Sequence, residues 1–435
     1  MSHHDAIVVG AGLAGLTAAV RLAESGARVL VLAKGVGATH LSGATIDVLG
    51  YAPDRVERPA DALAAFLADR PEHPYNHVGA DGIRAAIAWF KDRIAGGSLA
   101  PYAYAGSIDE NLLLPTAVGV PRPSAVVPET MLRGDLRGGA ELLVVGFRAL
   151  KDFYPALLAD TLGRAGAGVT ARGVELDLVP EGRADVNALG FARGFDDLAF
   201  RGDVVAQVLA RKLGADERVA FPAVLGIADP HGVWAALEHA LGRPVFEVPT
   251  LPPSVPGMRV FAILREALRR AGGTLVLNNV VVGADREGER VRALRTRVGL
   301  REERRGADWV VLATGGFASG GLELDSHWNA HETALGLPVS GAPGPNEERF
   351  RPGYLDAHPM GRAGVAVDRE LRPLEAEGRR AFENVLVAGA TLAGAEPWRE
   401  KSGDGLSLAT GYRAAELILA ASTTAVGTPA AVARS

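Results

Sequence analysis

The sequence predicts an α/β fold: one nucleotide-type domain assembled from separated stretches of chain, with an α+β second domain inserted between them. Three observations predict it. "AIVVGAGLAGLTAAVRLAESGARVLVLAKG" (6–35) reads as strand, glycine turn, helix and strand. "ADWVVLATGG" (307–316) is a buried strand ending in glycines, and "NVLVAGATLAG" with "KSGDGLSLATGYRAAE" (384–416) is strand, loop and helix at the far end. Pro-rich crossings at 112–128 and 251–258 bracket a block that has strands and helices of its own.

The remaining elements follow in order. "ADALAAFLADR" and "DGIRAAIAWFKDRI", within 60–95, carry apolar residues at helical spacing. After the first crossing come a buried-strand run, "ELLVVGF", and a helix, "YPALLADTLGRAG". A helical stretch at 196–214, a helix near 230–241 and the strand "PVFEVP" complete the inserted block. Past the second crossing, "RVFAILREALRRAGG" is an amphipathic helix, and "TLVLNNVVVGADREG" and "RVRALRTRV" are strands joined by a polar turn. The expected division assigns 1–100, 251–325 and 355–421 to the first domain and 101–250 to the insert. It leaves 326–354 as an irregular connection and 422–435 as a fraying tail.

Composition bounds the function. With 48% hydrophobic and 22% charged residues, the 435-residue chain suits a soluble protein of two or three packed units. A net charge of −5 and scattered Lys and Arg give no basic footprint for nucleic acid. No run approaches the ~20 apolar residues of a membrane span, and "MSHHDAIVVG" enters a strand directly, so no signal peptide and a cytoplasmic location are expected. The absence of cysteine excludes disulfides, thiolate-held iron–sulfur clusters and Cys-based zinc sites. A redox carrier on this chain is therefore organic. His327 and His331 have i, i+4 spacing beside Glu332, but Asn329 and Pro338 favour a loop and no metal is expected; His73 and His77 read as loop residues.

The glycines carry the chemistry. Gly10, Gly12 and Gly15 satisfy G-x-G-x-x-G between a strand and a helix. Gly10 permits the tight turn, Gly12 admits a phosphate to the backbone, and Gly15 lets helix and strand pack closely. The helix start at Leu13 and Ala14 offers N–H groups and partial positive charge. Ala313, Thr314 and Gly315 bring a strand end close to the same ligand. Gly389 and the helix start at Gly403, Gly405 and Leu406 aim further N–H groups into one cleft, where they favour negative charge gathering on a reduced flavin. Together the three pieces predict a Rossmann-like flavin-binding domain; a nicotinamide dehydrogenase would need only the first. The second strand ends in Ala33 and Lys34, where a dinucleotide site normally has the carboxylate that holds the adenosine ribose.

"THLSGATIDVLG" (39–50), "NLLLPTAVGVPRPSAVVP" (111–128), "LLVVGFRALKDFYPALLADTL" (142–162), "VVLATGGFASGGLELD" (310–325), "GVAVDRELRP" (364–373) and "NVLVAGATLAGAEPW" (384–398) carry a narrower likeness. On these segments the chain resembles the B-subunit family of anaerobic glycerol-3-phosphate dehydrogenases, within the fumarate-reductase-like flavoprotein group. The likeness covers nearly the whole chain and is weakest between about 165 and 245.

The resemblance implies a flavin redox subunit of a glycerol-3-phosphate:quinone oxidoreductase, peripheral at the inner face of the membrane through a partner. It implies an FAD-bearing catalytic subunit and a cysteine-rich iron–sulfur subunit as partners, with quinone reached indirectly. It implies FMN, which has no adenosine to grip, with FAD as the alternative; Lys34 then adds charge near a terminal phosphate. His40, Ser42 and Gly43 fall in the flavin-contacting loop, His40 by non-covalent contact or loop packing. His358 and Arg362, just upstream of the C-terminal flavin segment, are candidates for proton acceptor and anion ligand in alcohol oxidation. Asp404 departs from the family's glycine-rich loop and is expected to turn away and cap the following helix. The competing readings are a self-contained FAD oxidoreductase acting on a dicarboxylate or enone, and a non-catalytic assembly subunit that holds flavin for stability.

Overall fold

The computed structural model describes residues 3–166, 168–180, 186–344, 346–353 and 356–426. The opening unit is strand His3–Val9, helix Leu13–Ala23 and strand Val29–Leu32, with both strands apolar and nearly all of the helix buried. Among the described residues these strands join a seven-stranded sheet. Thr274–Val276 pairs with Val29–Leu32, which pairs with His3–Val9, which pairs with Arg301–Leu312, all parallel.

The strand Arg301–Leu312 is shared by two structures. Its first half lies antiparallel to Arg290–Val298, itself paired with Val280–Glu287, while its last residues lie parallel to Val385–Val387. The charged run "REERR" is the solvent-exposed, polar start of this long strand. Its apolar second half, Val310 to Leu312, is fully buried where the C-terminal ends of parallel strands gather. Helices Leu13–Ala23, Gly79–Ala95, Val255–Arg270 and Gly403–Val426 pack on one another beside this sheet.

A second core draws on residues from Leu113 to Val255. Its sheet has the order Val245–Val248, Glu217–Pro222, Ala140–Phe147, Val169–Leu176, and every pair is parallel. Helix Pro155–Arg164, the pair Ala188–Asp196 and Leu198–Leu209, and helix Pro230–Leu241 make the successive crossovers. The inserted unit is thus α/β at its centre, not the α+β arrangement expected, because helices separate each pair of strands and parallel neighbours require such crossovers. Antiparallel pairing occurs in two short ribbons, Tyr104–Gly106 with Val126–Pro128 and Leu112–Leu114 with Arg122–Ser124.

The stretch expected to be irregular, 326–354, contains strand Ala330–Glu332, paired with Leu322–Leu324. His331 is on that strand and His327 in the turn before it, so their i, i+4 spacing is not helical. At the far end the helix continues to Val426, so 422–426 are helical and the rest of the expected tail lies outside the described residues.

The two cores are joined by a buried ion pair. Arg259, on helix Val255–Arg270, and Glu247, on strand Val245–Val248, are both wholly buried and meet at 2.7 Å. Arg259 also donates to the Gly226 carbonyl at 2.6 Å, and Glu247 accepts from Thr130 and from the Leu225 N–H. Burial disfavours the guanidinium charge, but the Glu247 carboxylate outweighs it and holds the Arg259 pKa above its ordinary value.

Candidate active site

The glycine turn is built as its spacing requires. Gly10 has φ +115°, and a Cβ there would stand 2.1 Å from the Ala313 carbonyl oxygen, so only glycine lets the first strand and the "ATGG" strand end approach this closely. A Cβ on Gly15 would lie 2.0 Å from the Gly10 carbonyl oxygen. Gly12 differs: it stands before Leu13–Ala23, has ordinary φ, and nothing lies within 4 Å of where its Cβ would be. Its glycine leaves open space at a helix N-terminus, where the first-turn N–H groups have no intrahelical partner.

The three glycine segments converge on this turn. The Ala313 N–H donates to Val9, and the Ala388 N–H donates to Leu312. Gly389 lies against the buried Ala14 side chain, and Gly411 crosses Ala14 so closely that a Cβ would meet its carbonyl oxygen at 2.3 Å. Two threonines lock the join: Thr391 accepts from the Gly315 N–H at 2.9 Å, and Thr410 accepts from the Gly389 N–H at 2.9 Å. Thr314 faces Thr391 at 3.4 Å.

At the end of the second strand, Ala33 is hydrogen-bonded to the neighbouring parallel strand and to Asn279 just beyond it. Asn279 is buried, and its Oδ1 has no protein partner. Lys34 is exposed, with its ammonium beside Gly320 on the loop after the "ATGG" strand.

The loop after Lys34 returns towards the glycine turn. Gly37, at φ +75°, presses on Gly12, and the Thr39 carbonyl presses on Gly257, in the first turn of Val255–Arg270. His40 sets its ring edge-on to Phe261 at 4.9 Å, and its carbonyl accepts from the Ser254 N–H. Burial lowers its pKa, and Nε2 has no protein partner. Ser42 accepts from the Ala44 N–H, and Gly43 packs on Pro249. Open backbone at Gly12, oriented helix starts at Leu13 and Gly403, and unpartnered polar atoms on Thr39, His40 and Asn279 fit a flavin nucleotide lying along these segments.

The C-terminal helix begins at Gly403, with Gly405 donating to the Asp47 carbonyl and Leu406 to the Ser402 carbonyl. Asp404 is inside the first turn, past the capping position, and its side chain bonds Ser42 beside Asp47. It is not the expected cap. Burial, then the Asp47 carboxylate, raise its pKa to about 6. Asp47 is itself ion-paired to Arg122, and its second oxygen, Oδ1, has no partner. Lys401, at φ +50°, adjoins both; burial and Arg122 lower its pKa.

A buried network supports this end of the helix. His73, fully buried, accepts the Tyr75 N–H at Nδ1, so its neutral ring donates from Nε2 to Glu400 at 3.2 Å. Ser402 and the Glu396 N–H also donate to Glu400. Burial opposes the Glu400 charge, yet these donors, His73 foremost, hold its pKa below the ordinary value. His73 lies on a loop, as expected, but is a buried anchor there, a role that only long-range packing creates.

His358 and Arg362 are placed together at the approach to this segment. The His358 ring stacks on Trp398 at 5.5 Å, and its Nδ1 accepts the Arg351 N–H, which puts the neutral ring's proton on Nε2. That tautomer suits a donor better than an acceptor. Arg362 is half exposed and paired with the buried Glu396 at 3.0 Å.

Sequence reasoning missed Asp47, Arg122, Lys401 and Asn279. One signal was legible: Asp47 interrupts the apolar run "ATIDVLG", and a carboxylate buried in such a run needs a partner.

Compared with known proteins, the chain matches the FAD binding domain family over residues 5–406. It is 33% identical over 423 residues to the probable B subunit of an anaerobic glycerol-3-phosphate dehydrogenase from Halobacterium salinarum, covering 94% of this chain and 96% of that one. It is 32% identical to the corresponding B subunit of Yersinia enterocolitica, with coverage of 96% and 98%. The chain belongs to the B-subunit family of anaerobic glycerol-3-phosphate dehydrogenases. A further member, from Vibrio cholerae, is 30% identical and covers 97% of each chain. Among solved structures, the 3-ketosteroid Δ1-dehydrogenase of Sterolibacterium denitrificans aligns with TM-score 0.46 at 13% identity, over 97% of this chain and 100% of that one. A flavocytochrome c3 fumarate reductase aligns with TM-score 0.42 at 11% identity, covering 96% and 79%.

Proposed function

We propose that this chain is the flavin-bearing redox subunit of a glycerol-3-phosphate:quinone oxidoreductase. In this reading it passes electrons to a cysteine-rich iron–sulfur subunit, works beside an FAD-bearing catalytic subunit, and reaches quinone only through them. The observation that carries the reading is the convergence of the other two glycine segments on the Gly10–Ala14 turn, Ala313 at Gly10 and Gly389 with Gly411 at Ala14, in a chain similar along nearly its whole length to named subunits of that dehydrogenase. The lack of cysteine supports a division in which another chain holds the clusters. Among the described residues no helix is long and apolar enough to cross a membrane, which supports attachment through a partner.

The flavin supplies a two-electron acceptor when bound. The rest falls to this chain's residues. The open backbone at Gly12 and the N–H groups of Leu13 and Ala14 hold a phosphate, and the helix start at Gly403–Gly405 favours negative charge over the ring. Between FMN and FAD the proposal is FAD, the alternative, in place of the FMN that the resemblance implied. The family match supports it, as does Asn279, whose buried, unpartnered Oδ1 beside Ala33 is an acceptor for a ribose hydroxyl.

The test is to purify the chain, release the yellow compound in acid, and identify it by chromatography. FAD is expected from the wild type, with weaker retention after Asn279→Leu; FMN overturns the adenosine assignment. The same preparation, mixed anaerobically with sn-glycerol 3-phosphate in the presence of its partner subunits, is expected to bleach. A flavin that stays oxidised in the full complex overturns the redox reading and favours the assembly role.

A further inference from the structure

Where the two cores meet, four charged side chains from three segments face one another: Asp47 from the "ATIDVLG" loop, Arg122 from the ribbon Arg122–Ser124, and Lys401 and Asp404 at the C-terminal helix. Neither the glycine motifs nor the phosphate grip of the flavin uses them. They are not sealed in the core: Arg122 keeps 31% of its side chain accessible, and Lys401 and Asp404 are only partly buried. Asp47 is 3% accessible, and only one of its two carboxylate oxygens is paired. A buried carboxylate oxygen without a donor costs free energy unless something else supplies the hydrogen bond. The two cations balance the two carboxylates when all four are charged, and a proton taken up by Asp404 leaves the cluster with one net positive charge to set against an anionic group.

We propose that Asp47, Arg122, Lys401 and Asp404 form the substrate subsite, with Lys401 and Arg122 holding the phosphate monoester of a short polyol phosphate. The Asp404 carboxylate takes the hydroxyl proton, and the free oxygen of Asp47 accepts a hydrogen bond from a second hydroxyl. The assignment rests on the glycerol 3-phosphate reading and deepens it by giving this chain a substrate site of its own beside that of the catalytic subunit. In the reaction the O–H bond breaks with its proton passing to Asp404, the carbinol C–H bond breaks with its hydrogen and electron pair passing to the flavin, and the C=O bond forms. The alcohol is oxidised to the ketone and the flavin is reduced by two electrons. Asp404 suits the task because its environment raises its proton affinity while leaving it largely ionised at neutral pH. The groups facing it are Ser42, Asp47 and Arg122, with Tyr75 and Tyr104 behind.

The experiment measures calorimetric binding of sn-glycerol 3-phosphate to the flavin-loaded full chain, then anaerobic flavin reduction in the complex, for the wild type and three variants. Lys401→Gln is expected to weaken binding about ten-fold or more, as loss of a charged hydrogen bond should. Asp404→Asn is expected to bind within about three-fold of wild type but to slow reduction about 100-fold and abolish its rise through pH about 6. Ser42→Ala, which keeps the carboxylate but removes its hydrogen-bond donor, is expected to move that pH midpoint upward, which a purely structural role would not do. Unchanged binding in Lys401→Gln, or reduction by Asp404→Asn at the wild-type rate and pH profile, overturns the subsite while the parent reading stands. A wild-type complex that neither binds nor is reduced by glycerol 3-phosphate overturns the parent reading, and the subsite as a polyol phosphate site falls with it.

Discussion

At Asp404 the same environment that suits proton transfer acts on stability. An acid whose pKa is raised on folding, here from 3.8 to about 6, binds more protons folded than unfolded between those two values. Its contribution to stability therefore falls as pH rises from about 4 to about 6 and is level above that. Melting temperatures of wild type and Asp404→Asn, measured from about pH 4 to about pH 8, are expected to diverge over that window. The variant should be the more stable above about pH 6, and the difference should close near about pH 4. Glu400 has the opposite sign: its lowered pKa contributes stability above its ordinary value, which is lost as pH falls through the acid range. The flanking residues of one helix start thus pull the acid response in two directions, and the Asp404→Asn comparison isolates one of them.

The strand–turn–helix at 3–23 separates two uses of glycine. At Gly10 an added methyl meets backbone at 2.1 Å with φ at +115°, so Gly10→Ala is expected to destabilise the flavin-free protein by more than about 3 kcal/mol. At Gly12 the same methyl meets no protein atom, so Gly12→Ala is expected to keep stability within about 1 kcal/mol while losing flavin. Thermal melts without flavin, paired with fluorescence titration by flavin, check both. Equal melting temperatures for the two variants would remove the assignment of Gly12 to the ligand and Gly10 to the frame.

Across the whole molecule, the Arg259–Glu247 pair ties the helix that packs under the first sheet to the edge strand of the second. Arg259→Met leaves Glu247 buried with only the Thr130 and Leu225 donors, and a loss of about 3–5 kcal/mol is expected in urea unfolding. Replacing both partners, as Arg259→Met with Glu247→Gln, is expected to recover part of that loss. If the single variant unfolds at the wild-type urea concentration, the pair does not hold the two cores together.

The sequence by itself determined the parallel-sheet frame, because strands such as Ala6–Val9 and Val310–Leu312 are unbroken apolar runs whose periodicity and terminal glycines are local properties. It also determined the glycine turn, since the freedom to take positive φ at Gly10 belongs to the residue itself. What only the tertiary structure decided are the contacts across distance. The parallel pairing of the inserted sheet, the burial of His73 against Glu400, the free carbonyl of Asn279 beside Ala33 and the meeting of Asp47 with Arg122 and Asp404 all join residues from separate elements far apart in the chain. The physical reason is that charge and hydrogen-bond energies depend on separation in space and on the surrounding dielectric. Neither is set until the two cores close on one another.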